Sequence, residues 1–228
     1  MNKLYHYLLC PHSRKCRLML GEIKIEYAPH EIRPVWNYGG ARDAEFLRLN
    51  PSGEVPVLVL ANKGVVAGHY ALTEWIIEND KAHICMPDNH IERAEVRRLV
   101  AWFDTKFMRE VGVPITDEKI NNRLMGKNAV PNMEIVRQGL ANLGHHLSYL
   151  QYLLAQRDWL AGAHYTLADM AAAAPLSCLD YTGDVAWKSY PLVREWYARI
   201  KSRPSFRPLL ADYIAGFRPT SHYADLDF

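Results

Sequence analysis

Asn50-Pro51-Ser52-Gly53-Glu54-Val55-Pro56-Val57-Leu58 is the stretch on which the first third of the chain turns. Pro56 opens a short apolar strand over 56–60. Val65 and Val66 supply its partner across Asn62-Lys63-Gly64, a hairpin turn. Upstream, residues 4–9 predict a strand, and Pro11 suits the first turn of a helix running through Arg17, Leu18 and Leu20 to Gly21. Residues 23–27 read as a second strand and 41–49 as a helix, and 71–78 form a further helix beyond the hairpin. The order is β-α-β-α-β-β-α, a mixed sheet with helices laid on it.

Periodicity changes after that. Residues 81–91 carry Pro, Asp, Asn and His with little pattern, as a linker does. The remainder is helical. Val136, Leu140, Leu143, Leu147, Leu150 and Leu154 recur at spacings of three and four, on one face of a long helix. Residues 92–111 form another, with Leu99, Phe103 and Phe107 on one side. The Ala-rich run 167–179 predicts a buried central helix, and 191–200 and 204–214 close the bundle. The organisation is therefore a first domain over 1–80, a linker over 81–91, a helical domain over 92–217 and a tail over 218–228.

Composition bounds the function. With 49% hydrophobic and 23% charged residues, the chain has ample material for a core. A formal net charge of +2 argues against a general nucleic-acid binder. The four cysteines, Cys10, Cys16, Cys85 and Cys178, make no CxxC pair and no zinc spacing, so no metal centre is expected and a reducing compartment is. The N-terminus does not read as a signal peptide and no run of about 18 apolar residues occurs. The expectation is a cytoplasmic protein with no membrane insertion.

Three segments carry a family likeness. They are Leu4-Tyr5-His6-Tyr7 leading into Cys10-Pro11-His12-Ser13-Arg14-Lys15-Cys16-Arg17-Leu18, the Gly53-Glu54-Val55-Pro56 stretch, and Trp159-Leu160-Ala161-Gly162 followed by Thr166-Leu167-Ala168-Asp169. In this order they resemble the glutathione transferases, over nearly the whole chain. The resemblance implies a thioredoxin-like N-terminal domain followed by an all-α C-terminal domain. It also implies a cis bond before Pro56, exposing the Val55 backbone to an extended peptide. Thr166 and Asp169 fit a capping box at the start of the central helix, a folding role.

Catalysis would fall to Cys10, at the end of a strand and the start of a helix, where the macrodipole favours a thiolate. Such a thiolate could form a mixed disulfide with glutathione. The competing reading is a small apolar cap on an inherited fold. Ser13 is a second hydroxyl candidate, and Tyr5 and Tyr7 read better as core. Glutathione would touch Cys10, Val55, Pro56 and His69. Transferases usually place an acidic residue and a serine before the third helix to hold the γ-glutamyl end. Here Gly68 and His69 stand at those positions, so glutathione chemistry is not expected and no cofactor is assigned.

The likeness narrows further along the chain. Glu95 to Val111 around Trp102-Phe103-Asp104, Leu179-Asp180-Tyr181 with Gly183-Asp184-Val185, Trp196 to Asp212, and the ending Tyr223-Ala224-Asp225-Leu226-Asp227-Phe228 resemble the FtsZ-localised protein A family of α-proteobacteria. That resemblance implies a homodimer that binds filaments of the tubulin-like FtsZ, curves them and supports constriction at the division site. It also implies a C-terminal tail that engages a second division protein through Asp225, Asp227 and Phe228. Basic residues Arg93, Arg97, Arg98, Lys106, Arg109, Lys119, Arg123 and Lys127 gather on and after the fourth helix, interleaved with Glu92, Glu95, Asp104 and Glu110. They read as a solvated face or as a docking surface for an acidic partner. Trp36, Tyr38, Arg97, Lys106 and Arg109 are the candidate filament contacts, chosen as large or basic groups. The rival readings are a glutathione-dependent transferase or thiol reductase using Cys10, and a transcription regulator resembling the stringent starvation proteins.

Overall fold

The computed structural model describes residues 1–32, 44–124 and 130–226. Trp36, Tyr38, Lys127, Asp227 and Phe228 lie outside them. Four strands form one sheet in the order β2-β1-β3-β4, with β1 at Asn2–His6, β2 at Tyr27–Glu31, β3 at Val57–Val59 and β4 at Val65–Ala67. β1 runs parallel to β2 and antiparallel to β3, which pairs antiparallel with β4. The helices of this half are α1 (Pro11–Glu22), α2 (Ala44–Leu49) and α3 (His69–Asn79). The Val55–Pro56 bond is cis. The mixed sheet with its helices, followed by a helical half, is the two-domain fold that the sequence predicts.

Two strands differ in extent from expectation: β1 ends at His6 and does not run to residue 9, and β2 begins later than residue 23. Residues 23–27 do not form the second strand. α1 runs to Glu22, Ile23 caps it, and Lys24 turns the chain at φ 58°. Ile25 donates its N–H to the Leu20 carbonyl at 2.9 Å, so these apolar residues close the helix and β2 begins at Tyr27. Tyr5 packs with Phe46 and Val57, whereas Tyr7, just past β1, packs with Leu9, Cys178 and Tyr181. Both are core residues, as the pattern suggests.

The helical half opens with α4 (His90–Ala101), capped by the Asn89 side chain. The helix then widens into π-helical turns over Trp102–Gly112, runs through α5 (Val113–Thr116) and a second π segment at Asp117–Asn121, and ends with α6 (Asn122–Leu124). α7 (Met133–Leu154) buries Val136, Leu143, Leu147 and Leu150, on the face that the spacing predicts. α8 (Leu167–Thr182) is buried from Leu167 to Tyr181 and packs directly on α1, which joins the two halves. Its capping box is complete: Asp169 accepts from the Thr166 N–H at 2.9 Å, and Thr166 Oγ1 accepts from Ala168 at 3.3 Å.

α9 (Pro191–Lys201) follows, but the helix expected over 204–214 shrinks to α10 (Arg207–Leu210). Side chains take over the backbone there: the Tyr181 hydroxyl accepts from Ile214 N at 3.1 Å, ending the helical pattern. The tail is not a free strand. Tyr223 is fully buried against Tyr181, and Thr220 N donates to the Tyr181 carbonyl at 3.1 Å. No helix among the described residues is long and apolar enough to cross a membrane.

Candidate functional site

The N-termini of α1 and α3 meet the first π segment at one junction between the halves. Cys10 is the N-cap of α1, and its sulfur accepts from Ser13 N at 3.4 Å. Burial pushes the Cys10 thiol up, against the pull of that hydrogen bond. The thiolate expected from the helix dipole is therefore not favoured, because desolvation outweighs the dipole. Ser13 is fully buried, and its hydroxyl accepts from Tyr7 N at 3.4 Å, so it belongs to the wall. Pro56 is buried and Val55 half-buried, and the Pro56 carbonyl accepts from Gly68 N at 3.1 Å. Gly68 precedes α3 with φ 89°, a conformation that suits glycine, and gives the helix no side-chain cap.

His69, the first residue of α3, lies flat against His12, the second residue of α1. Their rings stack at 3.8 Å between centroids and 9° between planes. Asp104, on the π segment, faces both. His12 Nδ1 stands 3.6 Å from Asp104 Oδ1, and His69 Nδ1 stands 3.8 Å from Oδ2. Lys15, almost fully buried, donates to Asp104 Oδ2. Burial alone would raise the Asp104 carboxyl, but His12 and Lys15 hold it down at about 2. Burial pushes His69 down to about 4, with His12 and Lys15 acting in the same direction, so its imidazole is neutral at neutral pH.

Sequence reading missed His12 and Asp104 as a pair with His69. The three lie on three different elements, and no spacing rule connects them. The one local signal is a histidine where a small hydroxyl is usual.

The candidate docking residues fall elsewhere. Arg97 and Arg109 are exposed and Lys106 is half-exposed. Lys106 and Arg109 both pair with Glu110, at 2.6 and 3.1 Å, and Glu95 pairs with Arg98 and Arg157 at 2.8 Å each. Much of the basic face is thus balanced by its own carboxylates. Asp225 is exposed, while its carbonyl accepts from Lys201 Nζ at 2.6 Å. A separate cleft of about 760 Å³ runs past His6, Arg17, Tyr27, Pro208 and Asp212, without Cys10, Val55 or His69 in its lining.

Comparison with known proteins adds a consistent set of relatives. Residues 9–79 match the glutathione S-transferase N-terminal domain family, and residues 129–204 match its C-terminal domain family. The chain is 44% identical to FtsZ-localized protein A of Caulobacter vibrioides over 99% of its own length and 97% of that protein. It is 27% identical to glutathione S-transferase 3 of Zea mays, over 92% of this chain and 93% of that one. Among solved structures, FzlA from C. crescentus superposes with a TM-score of 0.94 at 43% identity, covering 100% of this chain and 99% of that chain. A glutathione S-transferase from Rhodospirillum rubrum superposes with a TM-score of 0.93 at 44% identity, with 100% of both chains covered.

Proposed function

We propose a function from one premise: the chain belongs to the glutathione S-transferase family, and within it to the group of FtsZ-localized protein A. On this reading it is a non-enzymatic protein of the cytoplasm that binds FtsZ filaments, favours their curved form and supports constriction at the division site. The observation that carries the reading is the 44% identity to FtsZ-localized protein A, which spans 99% of the chain, so the C-terminal tail lies almost wholly within it. As a homodimer the chain would present two copies of one docking surface. Two-point attachment raises avidity through effective concentration. A fixed spacing between the points would shift filaments toward the shape that both points fit, by the difference in binding free energy.

The geometry of the α1–α3 junction supports the absence of glutathione chemistry. Gly68 offers no carboxylate for the γ-glutamyl ammonium, and its positive φ resists a replacement that would. The His69 ring is stacked on His12 at the helix start where a small hydroxyl would reach the ligand. The nearby carboxylate, Asp104, is engaged by Lys15. The residues present do not fit glutathione, and no reaction step is derived through it. The alternative, a transferase or thiol reductase using Cys10, draws on the position of Cys10 at the N-cap of α1 beside a cis-proline turn.

Calorimetric titration separates the two. The scaffold reading predicts no heat up to millimolar glutathione and no turnover of a model electrophile. Micromolar binding, with turnover that disappears in Cys10→Ser, would establish the enzyme instead.

A further inference from the structure

We propose that His12, His69 and Asp104 form a binding site for a divalent transition-metal ion of the zinc class, which would pin the N-terminal half to the helical half. The site shares His69 with the position where glutathione would lie, and it is separate from the candidate filament contacts Arg97, Lys106 and Arg109.

The first argument is unmet bonding. His12 Nδ1 and His69 Nδ1 are shielded from solvent and have no hydrogen-bond partner. Buried polar atoms without partners are uncommon and mark places where a ligand is wanted. Their separations from the Asp104 oxygens, 3.6 and 3.8 Å, are too long for hydrogen bonds.

The second argument is distance. Ligands about 2.0–2.2 Å from a tetrahedral ion lie roughly 3.3–3.6 Å from one another. The 3.6 Å between His12 Nδ1 and Asp104 Oδ1 fits that spacing, while His69 Nδ1 lies 3.8 Å from the other oxygen, Oδ2, which Lys15 holds. One donor atom from each residue can be chosen so that all lie within 4.8 Å of one another, and this is the one such cluster among the described residues. An ion bound by both Nδ1 atoms would need the stacked rings to turn apart, because each imidazole holds a metal near its own plane, and the partly exposed His69 is the ring with room to turn.

Charge and access select the ion. Lys15 donates to Asp104 Oδ2 and leaves Oδ1, the oxygen facing His12, for a metal. A ligating carboxylate held by an outer hydrogen bond is the usual arrangement. The Lys15 ammonium and the positive ends of α1 and α3 both oppose a cation. They oppose every dication alike, and with one carboxylate the site lacks the several oxygens that Mg2+ or Ca2+ need. Two imidazoles and one carboxylate suit Zn2+ or Co2+. The His69 side chain is 35% exposed, so an ion can enter and a fourth position remains for water or a partner's side chain. A third shielded nitrogen, His6 Nδ1, carries no such proposal, because it belongs to no group of three ligands among the described residues.

The test uses the full-length chain. Cobalt(II) is titrated and followed by its visible absorption, then displaced with zinc, and zinc binding is measured by calorimetry. One ion per chain is expected, with a rise in melting temperature at saturating zinc. His69→Ala and His12→Ala should each weaken binding by more than the roughly ten- to hundred-fold that outer-shell changes cost. His83→Ala, an exposed histidine paired with Asp88 at 2.8 Å, should leave binding unchanged. Should the variants fail to fold, zinc protection of the wild-type histidines from acylation by diethyl pyrocarbonate gives the same answer, with His12 and His69 selectively shielded. Absence of cobalt bands, binding that survives the double variant, or protection of other histidines instead would overturn the proposal.

Discussion

Two aspartates receive cations from opposite faces of α1, and they are finished differently. Asp212, from the segment after α10, takes both forks of Arg17 at 2.7 and 2.9 Å and Arg14 at 3.3 Å. Arg14 spends its remaining nitrogens on the Leu8 carbonyl, Ser177 and the Tyr223 hydroxyl. The two arginines and Asp212 find partners for their buried charge. Asp104 takes Lys15, and then stands beside two imidazole nitrogens that bond to nothing. A saturated ionic network fixes structure. One with shielded, unpartnered nitrogens leaves ligand positions open. The contrast separates the latch of the fold from its candidate site.

The largest break in that contrast should come from Asp212→Ala. It removes the carboxylate counter-charge of two buried guanidiniums, and stability measured by urea unfolding should fall by about 3–5 kcal/mol. A loss under about 1 kcal/mol would show that the Asp212 side is not the latch.

Acid tests the same side through His6. Burial, helped by Arg17, pushes its pKa down from 6.5 to about 4, so the folded chain keeps it neutral while the unfolded chain protonates it first. Stability from this group is present above pH 6.5 and is lost as pH falls toward 4, by up to about 3 kcal/mol. His6→Gln should flatten the stability profile over that window, and an unchanged slope would contradict the assignment.

Tyr223→Phe removes one partner of Arg14 and the bond to the Leu209 carbonyl, 2.9 Å long. The cost should be about 1–2 kcal/mol, with faster proteolysis of the tail. Cys10→Ser should change least, within about 1 kcal/mol, because serine caps a helix at least as well as cysteine. Slow alkylation of Cys10 at neutral pH belongs to the same expectation. A rapidly alkylated thiol would reopen the enzymatic reading.

Much of this architecture was legible in the residues. The Val55-Pro56 strand start, the leucine spacing of α7 and the Thr166–Asp169 box are local signals, and local signals survive folding. The start of β2 was misplaced because Ile23 and Ile25 look like strand residues while serving to close α1. The helix over 204–214 was overextended because nothing local says that Tyr181 will take the Ile214 N–H. The tail shows the same weakness: nothing local says that Tyr223 is a core residue bonded to Arg14. His12, His69 and Asp104 were not legible as a group, since only the packing of α1, α3 and the π segment brings them together.

Co-sedimentation with FtsZ filaments tests the central claim most directly. Filaments assembled with GTP are pelleted with increasing amounts of the full-length chain, with and without millimolar glutathione. The account predicts saturable pelleting that glutathione leaves unchanged. A chain that stays in the supernatant at every concentration while binding glutathione would contradict it.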